Sequence, residues 1–406
     1  MPEVFAMPGP LEGIRVVELG FWVAAPAAGG IMADWGADVI KIEPPEGDPF
    51  RGLFLKSAGL EVPINPPFEL DNRGKRSIAL NLETDDGRGI ARELIKRADV
   101  FVTNLRAKAL IQFAMRYEDL RELNPRLVYC HVTGYGSRGA EINRAAYDVG
   151  AFWSRAGVVS TLTPAGQEPA TQRGAMGDHT TAITATSAIC AALVARGKTG
   201  QGQKVETSLM RVGGYFIGWD VNIRLRLGVP TVAGTRHTTP NPLITSYHDS
   251  NGKWFWLLGL QGDRMWPDVL RAIARPDLDH DARFNSMTAR RENAAVLVDL
   301  LDSIFTQKTL AEWAPIFDRE NVWWAPVQTT EDLLEDPQAR AAGLFVKVPT
   351  ADGEAEMVAT PCDFGGTPWA PSAMAPELGQ HSEEILLELG LGWEEIGRLK
   401  EARVIP

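Results

Sequence analysis

Cysteine is scarce: 3 in 406 residues, at Cys130, Cys190 and Cys362, none at a paired spacing. That scatter argues against a disulfide framework and against a cysteine zinc site. Cys130 and Cys190 lie in apolar runs and read as small core residues. A reducing cytoplasm is the expected compartment. The 6 histidines form no ligand-spaced pair on a helix, so no metal site is expected. Adjacent Asp178 and His179 rarely converge on one ion.

Several signatures are missing. No GxGxxG follows the first strand, where LGFWVAAPAAGG has the wrong spacing for a dinucleotide loop. GxxxxGK[ST] is absent, which removes a P-loop NTPase, and so is the GxSxG elbow of α/β-hydrolases. The opening MPEVFAMPGPLEGIRVVEL carries no secretory pattern. Long apolar runs are lacking too. The best, around residues 180–196, is broken by threonines and a serine and reads as a core helix rather than a membrane span. A net charge of −11 disfavours a nucleic-acid partner, though not a small anionic ligand.

What is present is a globular composition, 45% hydrophobic and 23% charged, in a chain too long for one ordinary core. The first half alternates strand-like and helix-like segments: GIRVVELG, AAPAAGGIMADWG, DVIKIE, RSIALNL, DDGRGIARELIKRAD, DVFVTN and RLVYCHVTG. That order predicts an α/β fold with a parallel sheet. Residues 1–205 are assigned to a large domain and 206–228 to a linker helix. Residues 229–330 form a smaller α+β domain, and 331–406 return to the large one. TSYHDSNGKWFWLLGL and FVKVPTADGEAEMVAT are expected hairpins, with Asn251-Gly252 and Asp352-Gly353 as turn signals.

In open α/β sheets, ligands bind at the carboxyl ends of strands. The loops there are FWVAAPAAG, EPPEGDPFR, NLRAKA and GYGSRGAEINRAAYD. Basic residues gather in or near them: Arg51, Arg73, Lys75, Arg76, Arg106, Lys108 and Arg138. Either this is ordinary solvated surface or it serves a phosphate-bearing ligand. A second open question is Asp178 in RGAMGDHTTAI. It stands behind Gly177 at the head of a helix, where an aspartate caps free N–H groups, or where a carboxylate nucleophile could be held.

The order and spacing of these loops resemble the class III CoA-transferases, the formyl-CoA and carnitine-CoA transferase type. The residues that carry the likeness are PLEGIRVVELGFWVAAPAAGGIMADWGADVIKIEPPEGDPFR, NRGKRSIALNL, ADVFVTNLR, NPRLVYCHVTGYG, AMGDHTTAI, KTGQGQKVETSLM and LGQHSEEILLELG. The resemblance implies a Rossmann-like large domain, an interlocked homodimer, and coenzyme A thioesters as substrates with no permanently bound cofactor. It also makes Asp178 the nucleophile. In the family this carboxylate attacks an acyl-CoA, giving a mixed anhydride, then an aspartyl-CoA thioester, then a second anhydride with the acceptor acid. Covalent catalysis of this kind divides one hard exchange into easier steps. Backbone N–H groups near Gly177 and in the glycine-rich loops are candidates for the oxyanion. RHTTPNPL stands roughly where formyl-CoA transferase has the glycine run that covers the anhydride.

By the same resemblance, Phe21, Trp22, Val23 and Ala24 match a CoA-holding segment and Asn104 a CoA-contacting asparagine. Trp22 either stacks on adenine or fills the core. Pro44 replaces an adenine-side arginine, leaving Arg106 and Lys75 as phosphate candidates. The related α-methylacyl-CoA racemases are the alternative. They use a His-Asp pair where this chain has Tyr147-Asp148, and a glutamate that falls at His248. Tyrosine is a poor base near neutrality, so Tyr147 is either a packing residue or a hydroxyl facing substrate. A CoA-binding homologue without turnover is the third reading. The closest likeness is to the 2-hydroxyacyl, phenyllactate-type enzymes, with bile-acid and other bulky-substrate members also similar. Trp153, Trp219, Trp254, Trp256, Trp323 and Trp324 suggest a large apolar pocket, although tryptophans are most often packing residues.

Overall fold

A computed structural model describes residues 9–57, 59, 62 and 64–406. The chain divides into two compact units. The first comprises the described residues up to Val159, then Thr171–Val229 and Ala342–Pro406, and the second Ser160–Ala170 and Pro230–Ala341.

The first unit is built on a six-stranded sheet: β1 Arg15–Leu19, β2 Asp38–Glu43, β3 Arg76–Ala79, β4 Val100–Thr103, β5 Val128–Thr133 and β6 Lys204–Ser208. The order is β3-β2-β1-β4-β5-β6, and every pairing is parallel. β1 to β5 are buried almost end to end, as expected of apolar strands covered on both faces. On one face Val17, Ile40, Ile78 and Phe101 pack with the Asp85–Lys96 helix and with Ile385, Leu386, Ile396 and Leu399 of the two C-terminal helices. On the other, Val16, Val39, Val102 and Val132 pack with the Ala24–Asp34 and Met176–Thr199 helices.

The small residues of Ala24–Asp34 let that helix lie very close to the sheet. A Cβ at Gly29 would fall 2.0 Å from Glu18 Oε2. The chain reverses its direction of travel between β1 and β4, and that crevice is where open α/β sheets bind ligands.

The expected linker helix is not one helix. Residues 206–228 complete β6, then form Leu209–Phe216 and Gly218–Leu227, which meet at Ile217. The Ser208 hydroxyl starts the first of these by accepting from Arg211 N at 3.1 Å. Both expected hairpins form. β10 Phe345–Thr350 and β11 Gly353–Val358 pair Thr350 with Gly353, so the turn residues are Ala351 and Asp352 rather than Asp352 and Gly353.

In the second unit, β7 Ser246–His248 and β8 Trp254–Leu257 are joined by a longer loop and flanked by β9 Trp324–Pro326. There Asp249 Oδ1 accepts from Asn251 N and Lys253 N, both at 2.8 Å. The second unit has its own core around Tyr247, Phe255, Trp266, Phe305 and Phe317.

The Met176–Thr199 helix runs 24 residues and, by length and composition alone, could cross a bilayer. One face of it, Thr181, Ala182, Ala185, Ile189 and Ala192, is buried inside the first unit. Cys130 is buried, Cys190 half-buried and Cys362 exposed, all as free thiols.

Candidate active site

A cleft of about 250 Å³ opens at the carboxyl ends of β1, β4 and β5, and its lining includes Phe21, Trp22, Ala24, Asn104, Arg106, Tyr147 and Asp178. Residues far apart in the chain thus meet at the reversal point of the sheet. Val23 does not reach the cleft; it is buried at the start of the Ala24–Asp34 helix.

The loop after β1 is held under strain. Trp22 adopts φ 66°, a left-handed backbone that costs a non-glycine residue about 1–3 kcal/mol. Three groups hold it there. Asn104 accepts from Phe21 N at 3.0 Å and donates to Phe21 O at 2.7 Å. Asp48 Oδ1 accepts from Trp22 N at 3.1 Å. Lys41, fully buried, donates to Gly20 O at 2.9 Å, Asp48 Oδ2 at 3.0 Å and Glu18 Oε1 at 3.0 Å. Burial works against the Lys41 charge, but Glu18 and Asp48 outweigh it and raise its proton affinity. The indole thereby stands edge-on to Tyr147, with ring centroids 5.5 Å apart. Tyr147 is 60% exposed, so it is not a core packing residue of the first unit.

One of the expected CoA contacts changes role. Asn104 lines the cleft and also clamps the loop, holding the Phe21 backbone with both sides of its amide. Lys75 is no phosphate ligand. Its buried ammonium donates to Glu18 Oε2 at 2.7 Å, Pro26 O at 2.7 Å and Asn72 Oδ1 at 2.9 Å, and burial pushes it down to about 8.

Most of the apparent basic cluster is likewise paired internally. Arg51 grips Glu43, Arg73 grips Asp34, and Arg76 grips Asp38 and Glu388. Arg106 has no ion pair among the described residues and lines the cleft beside Arg144. The sequence could not show this, because spacing says nothing of which carboxylate each cation meets.

Asp178 lies in the first turn of the Met176–Thr199 helix, half-buried, with no hydrogen bond to its carboxylate among the described residues. Burial, then the nearby Asp148 carboxylate, push its pKa up to about 7, while His179 opposes them. His179 is held by Asp71, Nε2 to Oδ1 at 3.0 Å. Asp178 does not cap its own helix. Gly177 N and Asp178 N donate to Asp148 Oδ2 at 2.8 and 3.3 Å. Those two N–H groups are therefore committed to Asp148, which corrects the expectation that the Gly177 backbone receives an oxyanion.

Trp153 and Trp219 do not line the cleft, and Trp254, Trp256, Trp323 and Trp324 belong to the second unit. The six tryptophans expected to form a large apolar pocket therefore supply none of its wall; Trp22, from the expected CoA-holding segment, does. His248 and RHTTPNPL also lie in the second unit, with the His248 ring 5.0 Å from Trp254.

The arrangement is a basic, uncommitted carboxylate facing a cleft with an aromatic wall and a free guanidinium. The chain is 34% identical over 399 residues to the cinnamoyl-CoA:phenyllactate CoA-transferase of Clostridium sporogenes, covering 97% of each chain. It is 32% identical over 399 residues to the (R)-2-hydroxy-4-methylpentanoate CoA-transferase of Clostridioides difficile, covering 97% of this chain and 99% of that one. The crystal structure of a CAIB/BAIF family protein from Brucella suis superposes with a TM-score of 0.82 at 28% identity, covering 94% of this chain and all of that one. The sequence model of CoA-transferase family III matches residues 11–382, and the chain belongs to that family.

Proposed function

We propose that this enzyme moves CoA from an acyl-CoA to a bulky carboxylic acid, aryl or branched, of the 2-hydroxy-acid or bile-acid-like kind, with Asp178 as the covalent relay. The observation that carries this reading is the half-buried Asp178 carboxylate, free of hydrogen bonds among the described residues and facing the cleft. An Asp178 oxygen adds to the thioester carbonyl, the C–S bond breaks, and CoA leaves as the thiolate. That thiolate attacks the Asp178 carbonyl carbon of the anhydride, releasing the donor acid and leaving an aspartyl-CoA thioester. The acceptor carboxylate attacks the aspartyl carbonyl and expels CoA thiolate, which then attacks the acceptor's carbonyl in the second anhydride. The new thioester departs and Asp178 is free again.

Arg106, the cleft arginine without an ion pair among the described residues, serves a CoA phosphate or the acceptor carboxylate, and the Phe21–Ala24 loop lies along the thioester's path. The aryl or branched acid is supported by the Trp22–Tyr147 wall and by the named substrates of the two relatives. A homodimer is supported by the apolar surface of Leu209–Phe216 and Gly218–Leu227, where Tyr215, Phe216, Trp219 and Leu225 are exposed. Three free thiols fit a cytoplasmic enzyme. Nothing in the cleft favours racemization, since Tyr147 replaces the histidine and Asp148 is engaged by backbone N–H groups.

The test is incubation with acetyl-, succinyl- and cinnamoyl-CoA in heavy water with hydroxylamine, followed by peptide mass spectrometry. A hydroxamate on Asp178 is expected. Unmodified Asp178 together with deuterium at the α-carbon of recovered acyl-CoA would make the enzyme a racemase instead.

A further inference from the structure

We propose that Asp148 is a positioning residue for Asp178: its carboxylate ties down the backbone at the head of the Met176–Thr199 helix and fixes a negative charge beside the Asp178 carboxylate, so that acylation of Asp178 relieves a like-charge pair. The kinetic half of this rests on Asp178 being the nucleophile.

The first turn of a helix leaves N–H groups without partners, and a side chain just before the helix ordinarily takes them. Here that position is Ala175, left-handed at φ 67° and with no side-chain cap. The acceptor comes from elsewhere in the fold. Asp148 sits immediately before the Val149–Arg155 turn, 29 residues from Gly177, and its Oδ2 takes both Gly177 N and Asp178 N. Its Oδ1 accepts from Gln172 Nε2 at 2.8 Å.

The glycine before the nucleophile is what admits this carboxylate. A Cβ at Gly177 would lie 2.4 Å from Asp148 Oδ1 and 2.3 Å from Phe152 Cγ. No cationic side chain among the described residues pairs with Asp148. Its donors are amides, so its charge is felt at Asp178. The other charged groups around Asp178 are His179 on its own helix, Asp71 at the end of the Pro66–Asn72 helix, and Arg106 and Arg144 across the cleft.

The consequence is chemical. Free Asp178 is an anion repelled by Asp148, which keeps it basic and therefore a better nucleophile. When an Asp178 oxygen bonds to the thioester carbon and the C–S pair leaves with sulfur, the aspartyl group becomes neutral and the repulsion ends. The anhydride and the aspartyl-CoA thioester are both favoured over the free carboxylate.

Carbodiimide-driven amidation, which labels protonated carboxyl groups, reads Asp178 without turnover when followed by peptide mass spectrometry from about pH 5 to about pH 9. Asp148→Asn keeps an acceptor for Gly177 N and removes the charge. The Asp178 midpoint is expected to fall by about one pH unit in that variant. At about pH 9, where Asp178 is ionised in wild type and variant alike, the rate of adduct formation with the thioester that labels the wild type is expected to drop about threefold, with KM for that thioester little changed. Gln172→Leu, which withdraws a donor from Asp148 and leaves the Asp148–Asp178 pair in place, should move the midpoint upward and serves if Asp148→Asn does not fold.

An unchanged midpoint in both variants would overturn the proposal. So would an Asp148→Asn enzyme that matches the wild type while Asp148→Ala alone is impaired, since that is the pattern of a purely structural cap. A midpoint that depends on Asp148 in an enzyme forming no adduct would uphold the electrostatic coupling and sink the nucleophile reading.

Discussion

At the residue scale, Asp178 is a carboxylate held in a site that disfavours its charge, and two measurable properties follow. Because burial and Asp148 push it up to about 7, the ionised form of this proposed nucleophile is the minor one at acidic pH. The value of kcat/KM should rise with pH through about 7 and level off above it, in a profile measured with saturating acceptor acid. The stability consequence has the opposite sense. As pH rises from about 4 the unfolded chain ionises at Asp178 first, while the native protein keeps its proton until about 7. Native stability falls over that interval. Asp178→Asn, which never titrates, should be about as stable as the wild type at about pH 4 and more stable above pH 7, by on the order of 4 kcal/mol and with a correspondingly higher Tm. It should also lose CoA transfer entirely. A variant Tm that does not separate from the wild type as pH rises would show that Asp178 is not strained by its surroundings. Gly177 is the other decisive residue: Gly177→Ala places a methyl group against Phe152 and Asp148 and should cost about 1–3 kcal/mol in urea denaturation, with a large fall in kcat.

At the scale of elements, the segment VIKIEPPEGDPFR is explained by packing rather than by ligand contact. Lys41 ends buried between Glu18, Asp48 and the carbonyl of Gly20, and Asp48 in turn holds Trp22. Removing one partner of a buried ion pair leaves the other charge unpaired, which typically costs about 3–5 kcal/mol. Lys41→Met should destabilise the first unit by that amount in chemical denaturation. In any fraction that folds, the Trp22 loop should relax, with a larger rise in KM for the thioester than fall in kcat. The parallel strands and the helix order were readable from the alternation of apolar runs, since buried strands and amphipathic helices have different periods. The break at Ile217 was not readable, because LMRVGGYFIGWDVNIRLRLG keeps helical spacing throughout and only the packing of its two halves separates them.

At the scale of the whole molecule, the apolar surface is unevenly placed. Tyr215 is 89% and Trp219 82% exposed on consecutive helices, with Leu225 and Leu227 beside them. Exposed apolar side chains on two consecutive helices support the proposed interface between copies of this chain. The proposed homodimer should sediment as a dimer, and a Trp219→Glu, Phe216→Asp double variant should sediment as a monomer or aggregate. A wild type that stays monomeric at micromolar concentration would end the dimer proposal.

The sequence by itself determined the family and the α/β class and singled out Asp178, because each rests on local order: apolar periodicity, short glycine-bearing loops, and a Gly-Asp pair at a helix head. It could not assign the charges. Lys75 read as a phosphate ligand, and Arg73 and Arg76 as solvated surface or ligand-binding cations, yet each is spent on a carboxylate brought from another strand or helix. Asp148 read as half of a missing catalytic pair, yet it is the acceptor that anchors Asp178. Pairing of buried charges is a long-range property with no signature in spacing. Only the tertiary structure, by deciding which carboxylate reaches which donor, separated the residues that hold the site from those that face the substrate.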